Sequence, residues 1–142
     1  MMEDMRGMAT LLKEGNHSLV LTNGDRTLTF DGRGVRDLYI LYTQQPELLN
    51  GAAIADKVVG KGAAALMIVG KVARLHALVL SRPALELFGR SDVDVTYDVL
   101  VDNIINRSGT GVCPVEELCS VCYTPQMCIP LIGDFLSRMG MK

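Results

Sequence analysis

Between Gly51 and Val69 the chain has only three polar side chains, Asp56, Lys57 and Lys61, among alanine, glycine and aliphatic residues. A segment this poor in polar groups must be covered on most sides by other elements. That requirement selects a layered fold with this stretch near its centre. The small residues point to a single helix, on which Lys57 and Lys61, at i and i+4, share one face. Gly60 and Gly62 each cost roughly 1 kcal/mol relative to alanine in a helix interior. Their presence implies close approach by a neighbouring sheet or by a ligand.

The rest of the chain supplies the covering elements. Met5, Met8, Leu11 and Leu12 form the apolar stripe of an opening helix over residues 1–15, stopping at Gly15. Ser18 to Thr22 and Arg26 to Phe30 are β-rich runs joined by Asn23-Gly24-Asp25, where Asn-Gly supplies the positive φ of a tight hairpin. Asp31-Gly32-Arg33-Gly34 makes a second turn. Val35, Leu38, Leu41 and Tyr42 have helical spacing, interrupted near Pro46. Ala73 to Leu80 reads as a strand, Ser81-Arg82-Pro83 as the start of a short helix ending near Gly89, and Asp94 to Val101 as an alternating strand. Cys113-Pro-Val-Glu-Glu117 opens another helix, and a last amphipathic piece runs from Ile129 to Met139. A hairpin followed by alternating helices and strands predicts a three-layer α/β/α sandwich around a mixed sheet. With 142 residues, the expectation is one domain over 1–142, carrying a cysteine-containing helical extension from about 113 to 142.

Charge narrows the function classes. The 14 Lys and Arg are outnumbered by 16 Asp and Glu, for a net −2, whereas neutralising phosphates needs clustered basic residues in excess. Three Phe, four Tyr and no Trp leave little for base stacking. Nucleic acid is therefore not expected as a partner. No apolar run reaches the roughly 20 residues that cross a bilayer, and the start lacks a signal-peptide core, so no membrane association and a cytoplasmic location are expected. Asp92, Asp94, Asp98 and Asp102 are expected to face solvent, because unpaired buried carboxylates are costly. His17 and His76 read as structural.

Three constellations can carry chemistry. Lys57 and Lys61, with Asp56 as a loose counter-charge, are either the solvated edge of their helix or cations facing a ligand, since the small residues around them leave room. In Asn106-Arg-Ser-Gly-Thr-Gly-Val-Cys-Pro-Val-Glu116, Gly109, Thr110 and Gly111 can present backbone N–H groups and Arg107 a fork of donors to an anion. Alternatively, Cys113, Pro114 and Glu116 make an ordinary helix start, with Glu116 closing a capping box. Cys113, Cys119, Cys122 and Cys128 lie in a C-x5-C-x2-C-x5-C pattern, readable as small packed hydrophobes or as ligands of zinc or an iron–sulfur cluster.

The segments Ala55-Asp-Lys-Val-Val-Gly-Lys61, Leu80-Ser-Arg-Pro-Ala-Leu85 and Asn106 to Glu116 resemble those of an uncharacterised prokaryotic family with a cytidine-deaminase-like fold, over roughly residues 10 to 120. The resemblance implies a mixed five-stranded sheet covered by helices on both faces. Zinc deaminases carry H-x-E at one helix start and P-C-x-x-C at the next. This sequence has Asp56-Lys57 and Pro83-Ala-Leu-Glu-Leu87 instead, so no catalytic residue is assigned and zinc-dependent deamination is not expected. No cofactor is called for. The expectation is a degenerate deaminase-like protein, homodimeric by analogy, that binds a small anionic ligand such as a nucleotide. Lys57 stands in for the metal ligands, helped by Lys61, Asp56, Arg107 and the Gly109–Gly111 turn. The alternatives are metal binding through the four cysteines, or a non-catalytic interaction module.

Overall fold

A computed structural model describes residues 2–32, 35–106 and 108–140. Its sheet has five strands in the order β2-β1-β3-β4-β5. After helix α1 (Met2–Glu14), strands β1 (Leu19–Asn23) and β2 (Arg26–Phe30) form the expected hairpin. Asn23 pairs with Arg26, so Gly24 is the first of two turn residues, and its φ of +62° suits a type II′ turn. Asn23 is thus the last residue of β1. Its side-chain amide donates to the carbonyls of Leu48 and Asn50, each at 3.0 Å, tying the hairpin to the next loop. Arg33 and Gly34 of the second turn lie outside the described residues.

Helices α2 (Arg36–Gln44) and α3 (Pro46–Leu49) meet at the break that Pro46 signals. Gly51 to Val69 is not one helix: it contains strand β3 (Ala53–Val59) and then helix α4 (Lys61–Val69). Strand β3 runs antiparallel to β1 and parallel to β4 (Arg74–Ser81), so it is hydrogen-bonded on both sides in the middle of the sheet. A central strand covered on both faces reads as a continuous apolar run, without the alternation that marks a half-buried one. Gly60, extended at φ −102° and ψ −173°, separates strand from helix.

Helix α5 (Arg82–Gly89) leads to the edge strand β5 (Asp94–Val101), parallel to β4. Ser81 caps α5 by accepting from the Ala84 N–H at 3.2 Å. The chain closes with α6 (Pro114–Cys119) and α7 (Pro125–Arg138). The last helix starts four residues before Ile129, with Thr124 as its cap, and continues through Pro130. The apolar period begins late because the first turn is anchored by capping rather than by burial.

Side chains alternate across the strands and divide the core. Val20 and its register partner Ala55 meet Met8 and Leu12 of α1 on one face. Leu21 and its partner Ile54 point the other way, into a larger cluster with Leu66, Leu75, Leu80, Leu87, Ile132 and Leu136. That cluster also contains Val115, Cys119, Cys122 and Cys128, so the C-terminal helices are part of the same core. A Cβ on Gly62 would lie 2.5 Å from Val115 Cγ1, so the close approach its glycine permits is to α6. On the face that α1 covers, His76 of β4 bonds Thr96 Oγ1 at 2.7 Å and Asp98 Oδ1 at 3.0 Å on β5. Asp92, Asp94, Asp98 and Asp102 are all exposed.

Candidate functional site

The parallel strands β3 and β4 end side by side, and each feeds a helix almost at once, α4 after Gly60 and α5 after Ser81. A helix start leaves backbone N–H groups without intrahelical partners and carries positive partial charge. At the start of α4 one of them, the N–H of Lys61, is met by the chain's own Glu116, 3% exposed. Its Oε1 accepts from the Lys61 N–H at 2.6 Å and from Ser81 Oγ at 3.2 Å, and its Oε2 accepts from the Ile104 N–H at 2.7 Å. All three partners are donors, and the short distances to the amides are those of charge-assisted bonds. A Cβ on Gly60 would come within 2.9 Å of Oε1, so this glycine lets the carboxylate approach.

Glu116 therefore does not close a capping box on its own helix. Cys113 makes no side-chain cap, and its N–H goes to Ile104 O at 2.7 Å instead. The carboxylate caps a different helix, with Lys61 more than fifty positions away in sequence. Spacing within a helix cannot reveal such a partner. Ser81 and Ile104, absent from the expected site, join it for the same reason.

The two lysines do not share a face. Lys57 belongs to β3 and is exposed, and its ammonium donates to Asn16 Oδ1 at 3.3 Å. Lys61 begins α4 and is buried, with Nζ donating to Cys122 O at 2.6 Å. Asp56 is no loose counter-charge: it is buried, and Oδ1 accepts from the Val58 N–H at 3.3 Å. Burial pushes its carboxyl up from 3.8 to about 8, against the lowering effect of the Val58 and Lys57 N–H groups, and Asp37 raises it slightly further.

The turn at 106–111 is closed on itself. The N–H of Gly109 goes to Asn106 O at 3.0 Å, and that of Thr110 to Asn106 Oδ1 at 3.0 Å. Gly111 O accepts from the Asn106 N–H at 2.8 Å, and Gly109 takes φ +74°. Two of the N–H groups expected to face an anion are thus used within the turn. Arg107 lies outside the described residues. The structure brings together Lys61 and Glu116, with Lys57 held apart from them by the turn from strand to helix.

The model of a domain of unknown function, DUF1893, matches residues 7–136. This chain belongs to the DUF1893 family. It is also similar to the crystal structure of a DUF1893 family protein (TM1506) from Thermotoga maritima, with a TM-score of 0.83 and 25% identity. That likeness covers 92% of this chain and 88% of the other. No curated protein matches it.

Two further features of the DUF1893 chain bear on chemistry. A shallow cavity of about 360 Å³ is lined by Tyr42, Ile68, Val69, Lys71, Gln126 and Ile129, none of which the sequence singles out as a site residue. The cysteines divide by burial: Cys113 is half-buried at the start of α6, whereas Cys119, Cys122 and Cys128 are buried. The Cys128 thiol donates to the Thr124 carbonyl at 3.9 Å. Among the described residues, no group of three or more His, Cys, Asp or Glu is placed to hold a metal ion. No described helix is long and apolar enough to cross a membrane.

Proposed function

We propose that this DUF1893 chain is a non-catalytic interaction module of the cytidine-deaminase-like, three-layer type, whose former reaction position is closed by its own Glu116. The sheet order and the two helices that start at the ends of β3 and β4 support the fold reading. Zinc deaminases carry their H-x-E and P-C-x-x-C motifs at two such helix starts. Here the same places read Gly60-Lys61-Gly62 and Ser81-Arg82-Pro83-Ala84, with no thiol or imidazole in either. These residues do not fit a zinc site. The observation that carries the reading is the Glu116 carboxylate, which accepts both the Lys61 N–H at the start of α4 and the hydroxyl of Ser81, the cap of α5.

The contact surface proposed is β5. It is an edge strand of eight residues, mostly exposed, with Tyr97 40% and Val99 51% accessible and no Lys, Arg or Pro along it. Such an edge offers a row of backbone donors and acceptors to another strand, and a second copy pairs with it isologously. The expected result is a dimer in sedimentation equilibrium that Val99→Lys converts to a monomer with an unchanged circular dichroism spectrum. A wild-type chain that stays monomeric at every concentration overturns this proposal.

A second reading is favoured by Lys57, whose exposed ammonium stands at the carboxyl end of a parallel strand, where open α/β sheets bind ligands. In this reading it draws a small anion of the nucleotide class to that rim. A thermal-shift series with nucleoside mono-, di- and triphosphates tests it. A stabilisation that Lys57→Ala abolishes supports the reading, and no shift in the wild type, or the same shift in both proteins, rejects it.

A further inference from the structure

Asp94, Thr96, Tyr97, Asp98 and Val99 are the exposed residues of β5, so two carboxylates stand on the strand whose edge is proposed above as the contact between copies. Asp98 is compensated within its own protomer. Its Oδ1 meets His76 Nε2 at 3.0 Å, and its Oδ2 lies 3.7 Å from Lys13 Nζ. Thr96 Oγ1 meets the other nitrogen of the same imidazole at 2.7 Å, so a hydroxyl and a carboxylate two residues apart share one face of the strand.

A two-fold axis that lays β5 antiparallel beside a second β5 stands normal to the sheet, so each face of one protomer continues the same face of the other. Residues directly opposite then share a face, and the axis passes through a residue rather than between two. Few registers meet this condition. With the axis at Thr96, Asp94 stands opposite the partner's Asp98, twice over. With it at Asp98, that carboxylate meets its own copy, and Asp94 meets the partner's Asp102. Like charges directly opposite are destabilising. With the axis at Val99 the overlap of the two strands shrinks to residues 97–101, and axes nearer either end pair fewer still. With the axis at Tyr97, residues 94–100 pair, Val95 meets the partner's Val99, Asp94 meets the partner's Leu100, and no aspartate faces another.

We infer that β5 pairs with a second copy in the single register centred on Tyr97, an assignment that rests on the reading of β5 as the contact edge. The two Tyr97 rings meet at the axis, where aromatic pairs across strands add to the backbone ladder. Thr96, a neutral group, stands opposite the partner's Asp98 on each side of the axis. Asp94 and Asp98 therefore act as specificity residues: they leave this register free of like-charge contacts and penalise the shifts of one residue in the axis to either side.

The test adds one cysteine per protein to the full chain, oxidises with copper–phenanthroline and reads cross-linked dimer on a non-reducing gel. The wild type marks any background from the four native cysteines. Cα atoms directly opposite in an antiparallel pair lie about 4.5–5.5 Å apart, within disulfide reach, whereas a shift of two residues puts them beyond it. Tyr97→Cys is expected to cross-link with itself. Thr96→Cys and Asp98→Cys are expected to cross-link only when the two proteins are mixed, and this exposed pair decides the register even if Tyr97→Cys fails to fold. Thr96→Cys, Asp98→Cys or Val99→Cys cross-linking with itself above the wild-type background overturns the register and leaves the edge contact standing. A dimer that cross-links at none of these positions also overturns it. Sedimentation equilibrium of the wild type separates the two failures, because a chain that is monomeric at every concentration removes the contact edge itself, and the register with it.

Discussion

Replacing Glu116 with alanine is expected to destabilise the chain by about 3 kcal/mol or more, because three buried or part-buried donors lose their acceptor together and each orphaned group costs roughly 1–3 kcal/mol. For a domain of this size the midpoint of thermal unfolding should fall by roughly 10 °C. Glu116→Gln separates charge from shape. Its carbonyl can replace one oxygen, but its amide brings a donor against the remaining donor, so a loss of about half that size is expected. Calorimetry of the three proteins checks both effects. A Glu116→Ala variant as stable as the wild type would show that the carboxylate is not what holds the start of α4 to the Ser81 cap, and the non-catalytic reading would fall with it.

Asp56→Asn should act in the opposite direction, stabilising the chain at pH 8 and gradually losing that advantage as the pH is lowered. The folded carboxyl titrates near 8 against 3.8 for the free side chain. Below 3.8 both states hold the proton and the stability is fully present. Between 3.8 and 8 the unfolded chain gives up its proton while the folded chain keeps it, so stability declines with rising pH. The decline is complete once the pH passes the folded value. A tenfold difference in proton affinity between the folded and unfolded chains corresponds to about 1.4 kcal/mol, which puts the accumulated loss on the order of a few kcal/mol. Asparagine has no proton to release, and its Oδ1 can still accept from the Val58 N–H. Denaturant unfolding of both proteins from pH 5 to pH 9 measures the difference. Parallel pH profiles would mean that Asp56 ionises freely in the fold.

These two carboxyls differ although both are buried. Glu116 is met by three donors from three different segments, which replace the hydrogen bonds to water that burial removes. Asp56 has its own strand's amides and a nearby Asp37, which compensate it less, so it holds its proton. Only the first contributes to closing the site, and neither leaves Lys57 a buried counter-charge.

Local patterns predicted much of this architecture. The stripe of Met8 and Leu12, the β-rich runs around Gly24, the Ser81 cap followed by Pro83, and the alternation of Asp94 to Val101 each specify an element through neighbours a few residues apart. Strand β3 was not legible in this way. A strand bonded on both edges and covered on both faces loses its alternation, and its alanines also suit a helix. The site was less legible still. Lys57 and Lys61 are four residues apart and go to different surroundings, because Gly60 turns the chain between them. Glu116 meets Lys61, Ser81 and Ile104 only after four segments have packed. Period and capping are short-range properties of a chain, whereas the partner of a buried charge is chosen by whatever packing brings within hydrogen-bond reach.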